Sequence, residues 1–259
     1  MNLSWSASTG ASTYNVKRAT TSGGTYGTVA TAVGSTSYVD SGLAAGATYY
    51  YVVSAVNSAG ESGNSPEASV TFGGALPSPW TQQDVGAVGI PGSATYSSGT
   101  FSIDGSGANI GGKSDEFHYV WQPASADCSI VARIANLENT DPAAKAGIMI
   151  REASSSSSSR YAGVFVTPGN GILFQRRTST GGRTSTSSVT GSQAPLWLKL
   201  TRTGSTLKAF YSADGLAWTQ FGGSRTVTMT ANVSIGLVVG SRTDAALCTS
   251  TIDSVTVSP

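Results

Sequence analysis

The feature that most constrains the fold of this chain is a period of two. Tyr14, Val16 and Arg18 alternate along one short segment, and Tyr49, Tyr51, Val53 and Ala55 along another. Side chains two apart share one face of a strand, so each set can be buried while its neighbours face water. Such segments recur along the chain, broken by Gly, Ser and Thr, and long helix-forming runs of Ala, Leu, Glu and Lys are missing. With 32 glycines and only 11% charged residues, the composition favours strands and turns. The chain is predicted to be all-β.

Its 259 residues leave room for two ordinary domains. Residues 1–73 read as one β-sandwich with Trp5 as a large plug in its core. Residues 74–79 read as a short linker, whose Pro77 and Pro79 limit helix formation and slack. In residues 80–259 strands are predicted at 100–103, 117–122, 129–134, 146–152, 161–167, 171–177, 196–202, 207–212, 234–239 and 250–257. That many strands in one domain fit a two-sheet jelly roll.

Several function classes lose support at this stage. The formal net charge is +1 and the Lys and Arg residues are scattered, so no nucleic-acid partner is expected. No apolar run approaches the roughly 20 residues of a membrane-spanning helix, and no membrane partner is expected. The start at Met1 carries no basic-then-apolar leader, so a secretion signal is expected upstream. Cys128 and Cys248 could form one disulfide closing a long loop or be two buried thiols, and no C-x-x-C metal spacing is present.

Catalytic inventory is thin. His118 is the only histidine, no G-x-S-x-G occurs, and no strand carries carboxylates in an E-x-D-x-x-E run. Asp115 with Glu116 and Glu138 with Asp141 sit in loop-like contexts that suit capping. Residues 212–218 read as an Asp-Gly hairpin from which Trp218 returns to pack on the sheet. The six serines from Ser154 to Ser159 read as a mobile, solvent-facing loop.

Two resemblances add to this. The strand Leu3-Ser4-Trp5, the run Tyr14 to Arg18, the approach Leu43 to Tyr49 and the stretch Asn57 to Ser62 resemble a fibronectin type III module of the kind found in bacterial secreted glycosidases. The resemblance implies that Tyr49 is a corner tyrosine and that the module's first strand, which would precede Leu3, is missing, leaving an unprotected edge. In the second domain, Gly105 to Ile110, Ser114 to Tyr119, Thr140 to Glu152, Thr167 to Gly171 and Tyr211 to Trp218 resemble a concanavalin-A/laminin-G-like jelly roll. Such domains are appended to bacterial secreted carbohydrate-active enzymes. Relatives commonly carry Trp where this chain has Gly112, and again where it has Ala143 or Ala144, so two aromatic platforms are expected to be absent.

Sugar recognition needs aromatic faces and polar side chains that pair with hydroxyls. Phe117, Tyr119 and Trp121 share one face of a strand and are read as core, which leaves His118 and Gln122 facing out. If these converge on a concave sheet with Arg151, Gln175 and one arginine of the pair Arg176 and Arg177, of which Arg177 shares the face of Gln175, they form a donor-rich groove for hydroxyls or a uronate carboxylate. An ordinary solvated face is the alternative. A calcium ion held by Asp104, Asp115 and Asp141 is the one cofactor considered. The expected function is that of a non-catalytic, secreted accessory region whose second domain holds a polysaccharide near the catalytic domain of a larger parent chain. A purely structural spacer is the second reading, and a glycoside hydrolase the third.

Overall fold

The computed structural model describes residues 1–44, 46–71 and 73–259; Ala45, within the 43–49 run, and Phe72 lie outside the described residues. The chain is all-β and divides into two compact units, Met1–Ala75 and Leu76–Pro259. The second unit begins inside the expected linker, because Leu76 packs against its core together with Trp80.

In the first unit, β1 (Asn2–Ser4) pairs with β4 (Ser37–Val39) as a two-stranded sheet. The facing sheet runs β3 (Gly27–Val33), β2 (Thr13–Ala19) and β5 (Thr48–Asn57), with β6 (Gly60–Glu61) and β7 (Ala68–Thr71) both pairing with β5. The period of two is realised as expected: Val16, Tyr49 and Tyr51 form the core, and Leu3, Trp5 and Val53 pack against it. Tyr49 takes the corner position, its hydroxyl accepting from the Ala44 N–H at 2.8 Å. The Arg18 guanidinium and the Tyr51 hydroxyl both donate to buried Asp40, each at 2.7 Å, so this carboxylate is satisfied inside the sandwich.

The second unit is a sandwich of two seven-stranded sheets. One contains β9 (Ser93–Ser97), β10 (Thr100–Gly105), β12 (Cys128–Leu137), β17 (Leu196–Thr203), β18 (Thr206–Ser212), β19 (Thr219–Thr226) and β21 (Cys248–Ser258). Its order is β19-β18-β17-β12-β21-β10-β9. Buried and half-exposed residues alternate along its central strands, as in Leu196–Thr203, so it is called the alternating sheet.

The other sheet contains β8 (Thr81–Val85), β11 (Phe117–Ser125), β13 (Lys145–Arg151), β14 (Tyr161–Thr167), β15 (Gly171–Arg177), β16 (Ser185–Val189) and β20 (Asn232–Gly240). Its order is β16-β15-β14-β13-β20-β11-β8. Every residue of β13 and β14 is buried, so both faces of this sheet are covered, and it is called the covered sheet.

The main core lies between the two sheets and joins Ile103, Ile130, Ile134, Leu198 and Ile252 from one to Val120, Ile148, Val164, Ile235 and Leu237 from the other. A second cluster, with Phe117, Tyr119, Met149, Tyr161, Phe165 and Val238, lies on the opposite face of the covered sheet.

Of the two readings of the cysteines the buried thiols hold and the disulfide does not form: Cys128 and Cys248 are both free and buried. Strand register gives the reason. Ser129 pairs with Ser258 at one end of β21, while Cys248 opens the other end opposite Gly105. Ten residues of strand separate the two sites by roughly 30 Å, against a limit of about 7 Å between bridged Cα atoms. Burial pushes the Cys248 thiol up to about 11 and raises Cys128 as well.

Candidate functional site

The five residues expected to form a sugar groove lie on two different faces. Register puts Phe117, Tyr119 and Trp121 of β11 on the same side as Met149 and Arg151 of β13, Tyr161 and Phe165 of β14, and Gln175 and Arg177 of β15. This is the face turned away from the alternating sheet. His118, Val120 and Gln122 point the opposite way, in rows with Val239, Leu237 and Ile235 of the main core. The aromatic trio is thus on the outward face, and His118 and Gln122 turn inward, the reverse of the expectation. His118 is 2% exposed, with Nδ1 at 2.8 Å from Asp84 and Nε2 at 3.0 Å from Gln82. Gly92 makes room for the imidazole, because a Cβ there would lie 2.4 Å from Nδ1.

Arg151 and Arg177 do share the outward face with Gln175, but neither guanidinium meets solvent. Both are 0% exposed and both bind Asp115, also 0% exposed: Arg151 at 2.8 Å, Arg177 at 2.6 and 2.7 Å. Their remaining N–H groups close three loops over the sheet. Arg151 donates to the carbonyls of Ala153 and Ser156, and Arg177 to those of Gly182, Ser157, Ser159, Gly111 and Gly112. Backbone bonds tie the same loops together, from Asp115 N to Ser157 O and from Thr184 N to Gly112 O. Tyr161 lies under both guanidinium groups, at 5.7 and 5.1 Å, which supplies a π face in place of water.

The serine run is therefore no mobile, solvent-facing loop, since its carbonyls complete the coordination of two buried cations. Gly112, with φ of 63°, contributes only its carbonyl. Gln175, 8% exposed, spends its amide nitrogen on Thr186 at 3.1 Å. The expected groove is filled by the protein's own loops.

The calcium set does not assemble either. Asp115 is consumed by arginines, Asp104 accepts from Thr249 at 2.7 Å, and Asp141 caps Ala143 N at 2.7 Å. Among the described residues no cluster of three or more His, Cys, Asp or Glu side chains could hold a metal ion. Glu116 and Glu138 accept from Ala108 N and Thr249 N, the capping role expected of them. All 14 Asp and Glu side chains have a partner within the chain. Where their pKa departs from the ordinary, at Glu61, Glu67 and Asp214, hydrogen-bond donors hold it below the usual carboxylate range.

The surface left open is the outward face of the alternating sheet. Trp197 and Lys199 project from β17 between inward Leu196, Leu198 and Leu200, and are half-exposed. Lys199 Nζ lies 4.8 Å from the Phe210 ring and 4.3 Å from the Trp218 ring. The Asp-Gly turn holds Trp218 nearby: Asp214 Oδ1 accepts from Leu216 N at 2.8 Å and Ala217 N at 2.9 Å. Across the sheet the same face carries Thr95, Thr100, Ser102, Thr249 and Thr251, each half-exposed. Apart from Trp218, these residues were not singled out from sequence. The signal was present in the runs Thr100-Phe-Ser-Ile-Asp104 and Thr249-Ser-Thr-Ile-Asp253, where every outward position is polar.

No family model and no curated protein matches the chain. A functionally unknown protein from Saccharomyces cerevisiae is similar over 70% of this chain and 96% of its own, at 16% identity and a TM-score of 0.55, which shows a shared fold. An Fn3-like protein from Clostridium thermocellum is 51% identical over 29% of this chain and 79% of its own, with a TM-score of 0.27. A winged bean acidic lectin complexed with methyl-α-D-galactose is 9% identical, with 70% and 92% covered and a TM-score of 0.44.

Proposed function

We propose that this chain is a non-catalytic accessory region of a secreted bacterial polysaccharide-acting enzyme. Its larger unit binds carbohydrate, and its smaller unit, a fibronectin type III-like module, acts as a spacer. The observation that carries this reading is the open face of the alternating sheet, where half-exposed indole and phenyl rings stand beside an array of hydroxyls. Aromatic faces accept the C–H side of a sugar ring, and hydroxyl groups both donate to and accept from sugar hydroxyls. The commitment of every side-chain carboxylate and of His118 to internal partners supports the non-catalytic part, since a general acid needs a free carboxyl group whose pKa is raised so that it keeps its proton.

The filling of the expected groove by loops favours one other reading, that both units only space or stabilise neighbouring domains. Affinity electrophoresis and pull-down against plant, fungal, algal and bacterial polysaccharides separate the two. Retardation by at least one glycan is expected. No retardation, from protein with a cooperative melt, leaves the spacer reading.

A further inference from the structure

The open face has an internal order that bears on what it binds. Strand register places Ser97, Thr100, Asp253, Arg133 and Trp197 in one row across β9, β10, β21, β12 and β17. Their neighbours along the chain, Phe101, Ile252, Ile134 and Leu198, are core residues, so the row faces outward. Four strand spacings make it about 19 Å long. Thr95, Ser102 and Thr251 form a second row beside it, and Ser93, Asp104 and Thr249 a third. The aromatic group of Trp197, Phe210 and Trp218 stands at the β17 end.

Gly215 of the Asp-Gly turn packs against the Trp197 indole, a Cβ there lying 2.8 Å from the ring. We infer that this face binds an extended, uncharged polysaccharide lying across the strands, with the side of Trp197 opposite Gly215 stacking one sugar ring and the Ser and Thr rows pairing with the rings that follow. The inference rests on the carbohydrate-binding reading above and adds to it the face, the direction and the polymer class. Three observations select the occupant. The one arginine of the row is neutralised by Asp253 at 2.8 Å, and Lys199 is held against two rings, so no free arginine cluster awaits a uronate or phosphate. Ser is depleted in the cores of protein interfaces, whereas hydroxyls dominate here. The site is a row on an open sheet with no walls around a single sugar, so binding must accumulate over successive rings.

The test uses the full chain and uncharged linear oligosaccharide ladders (glucan, xylan, mannan and chitin series, one to six sugars), their insoluble polymers, and polygalacturonate as the acidic comparison. Affinity for one uncharged series is expected to rise at least about tenfold from two sugars to six. Trp197→Ala and Thr251→Glu are each expected to weaken binding about tenfold or more. Thr186→Ala, on the covered sheet, is expected to leave it unchanged. Cooperative melts establish that each variant is folded. Equal affinity for one sugar and six, a preference for polygalacturonate, or unchanged binding by both face variants would overturn the inference while leaving carbohydrate binding in place. Absence of binding to every soluble and insoluble glycan would overturn both.

Discussion

The two sheets of the larger unit are built from the same kinds of residue in the same strand geometry, yet they meet water differently. On β17 of the alternating sheet, Leu-Trp-Leu-Lys-Leu-Thr-Arg-Thr divides cleanly into core and surface. On β13 and β14 of the covered sheet, Lys-Ala-Gly-Ile-Met-Ile-Arg and Tyr-Ala-Gly-Val-Phe-Val-Thr are buried throughout. A sheet buried on both faces needs a second cover, and loops carry polar backbone that must be satisfied. The chain meets that need with two arginines that spread donors to seven loop carbonyls and with one carboxylate between them. The difference teaches that an arginine in an apolar strand can mark the cover of a sheet and need not mark a ligand groove.

The largest expected effect tests that cover. Asp115→Ala leaves two buried guanidinium groups without their counter-charge and should cost about 3–5 kcal/mol in urea unfolding. The ion pair of Arg133 and Asp253 on the open face is partly exposed, and Asp253→Asn should cost about 1 kcal/mol or less. Equal costs at the two sites would remove the distinction between the sheets.

A pH series sharpens the same contrast. Burial, with help from the Arg242 charge and against the pull of Asp115, lowers Lys145 on the covered sheet to about 8, from 10.5 in an ordinary lysine. Between these values the unfolded chain binds more protons than the folded one, so stability rises with pH across that window. Burial raises Tyr51, Tyr119 and Tyr161 well above the ordinary 10.0, so above about 10 the folded state binds more protons and stability falls. The buried thiols Cys128 and Cys248, raised above the ordinary 9.0, act in the same sense as the tyrosines from about pH 9. Stability should therefore climb from pH 8 towards about 9 and then decline, with the rise worth roughly 1 kcal/mol. Lys145→Met should abolish the rising limb and spare the falling one.

Smaller effects follow from packing. A Cβ on Gly163 would lie 2.2 Å from Phe165 Cζ, so the ring lies across this glycine on the covered sheet. Gly163→Ala should cost about 1–3 kcal/mol through overpacking. Thr251→Ala, on the open face, should change stability by no more than about 0.5 kcal/mol. A Gly163→Ala protein as stable as the parent would mean that the outer cluster is loosely packed.

Much of the fold was legible in the sequence because alternation is visible wherever one face is wet, as in β5, β10, β12 and β17. Strands β8, β16 and β19 are edge strands with polar residues on both faces, such as Ser-Thr-Ser-Ser-Val, and the edge strand β9 offers only Ala94 and Tyr96 as an inward pattern, so none of the four shows in the sequence. The facing of β11 was misread because Phe117, Tyr119 and Trp121 looked like the core of the sandwich, and nothing local reveals a second buried layer. The shared face of Gln175 and Arg177 follows from their spacing, but Asp115, read as a cap or a calcium ligand, is the partner of Arg151 and Arg177. Two fully buried arginines side by side call for a counter-charge, so Asp115 could have been sought on that ground, whereas the single buried Arg202 is satisfied by the backbone carbonyls of Gly204, Met229 and Thr230.

The central claim is that the covered sheet is closed by its own loops and the alternating sheet is open to a polysaccharide. Its most direct test follows the five tryptophan indole N–H signals by NMR while the oligosaccharide ladders are titrated in. The account predicts that Trp197 and Trp218 shift in step with binding and that Trp121, on the covered sheet, does not. Shifts at Trp121 with Trp197 and Trp218 silent would contradict it and place the ligand on the covered sheet.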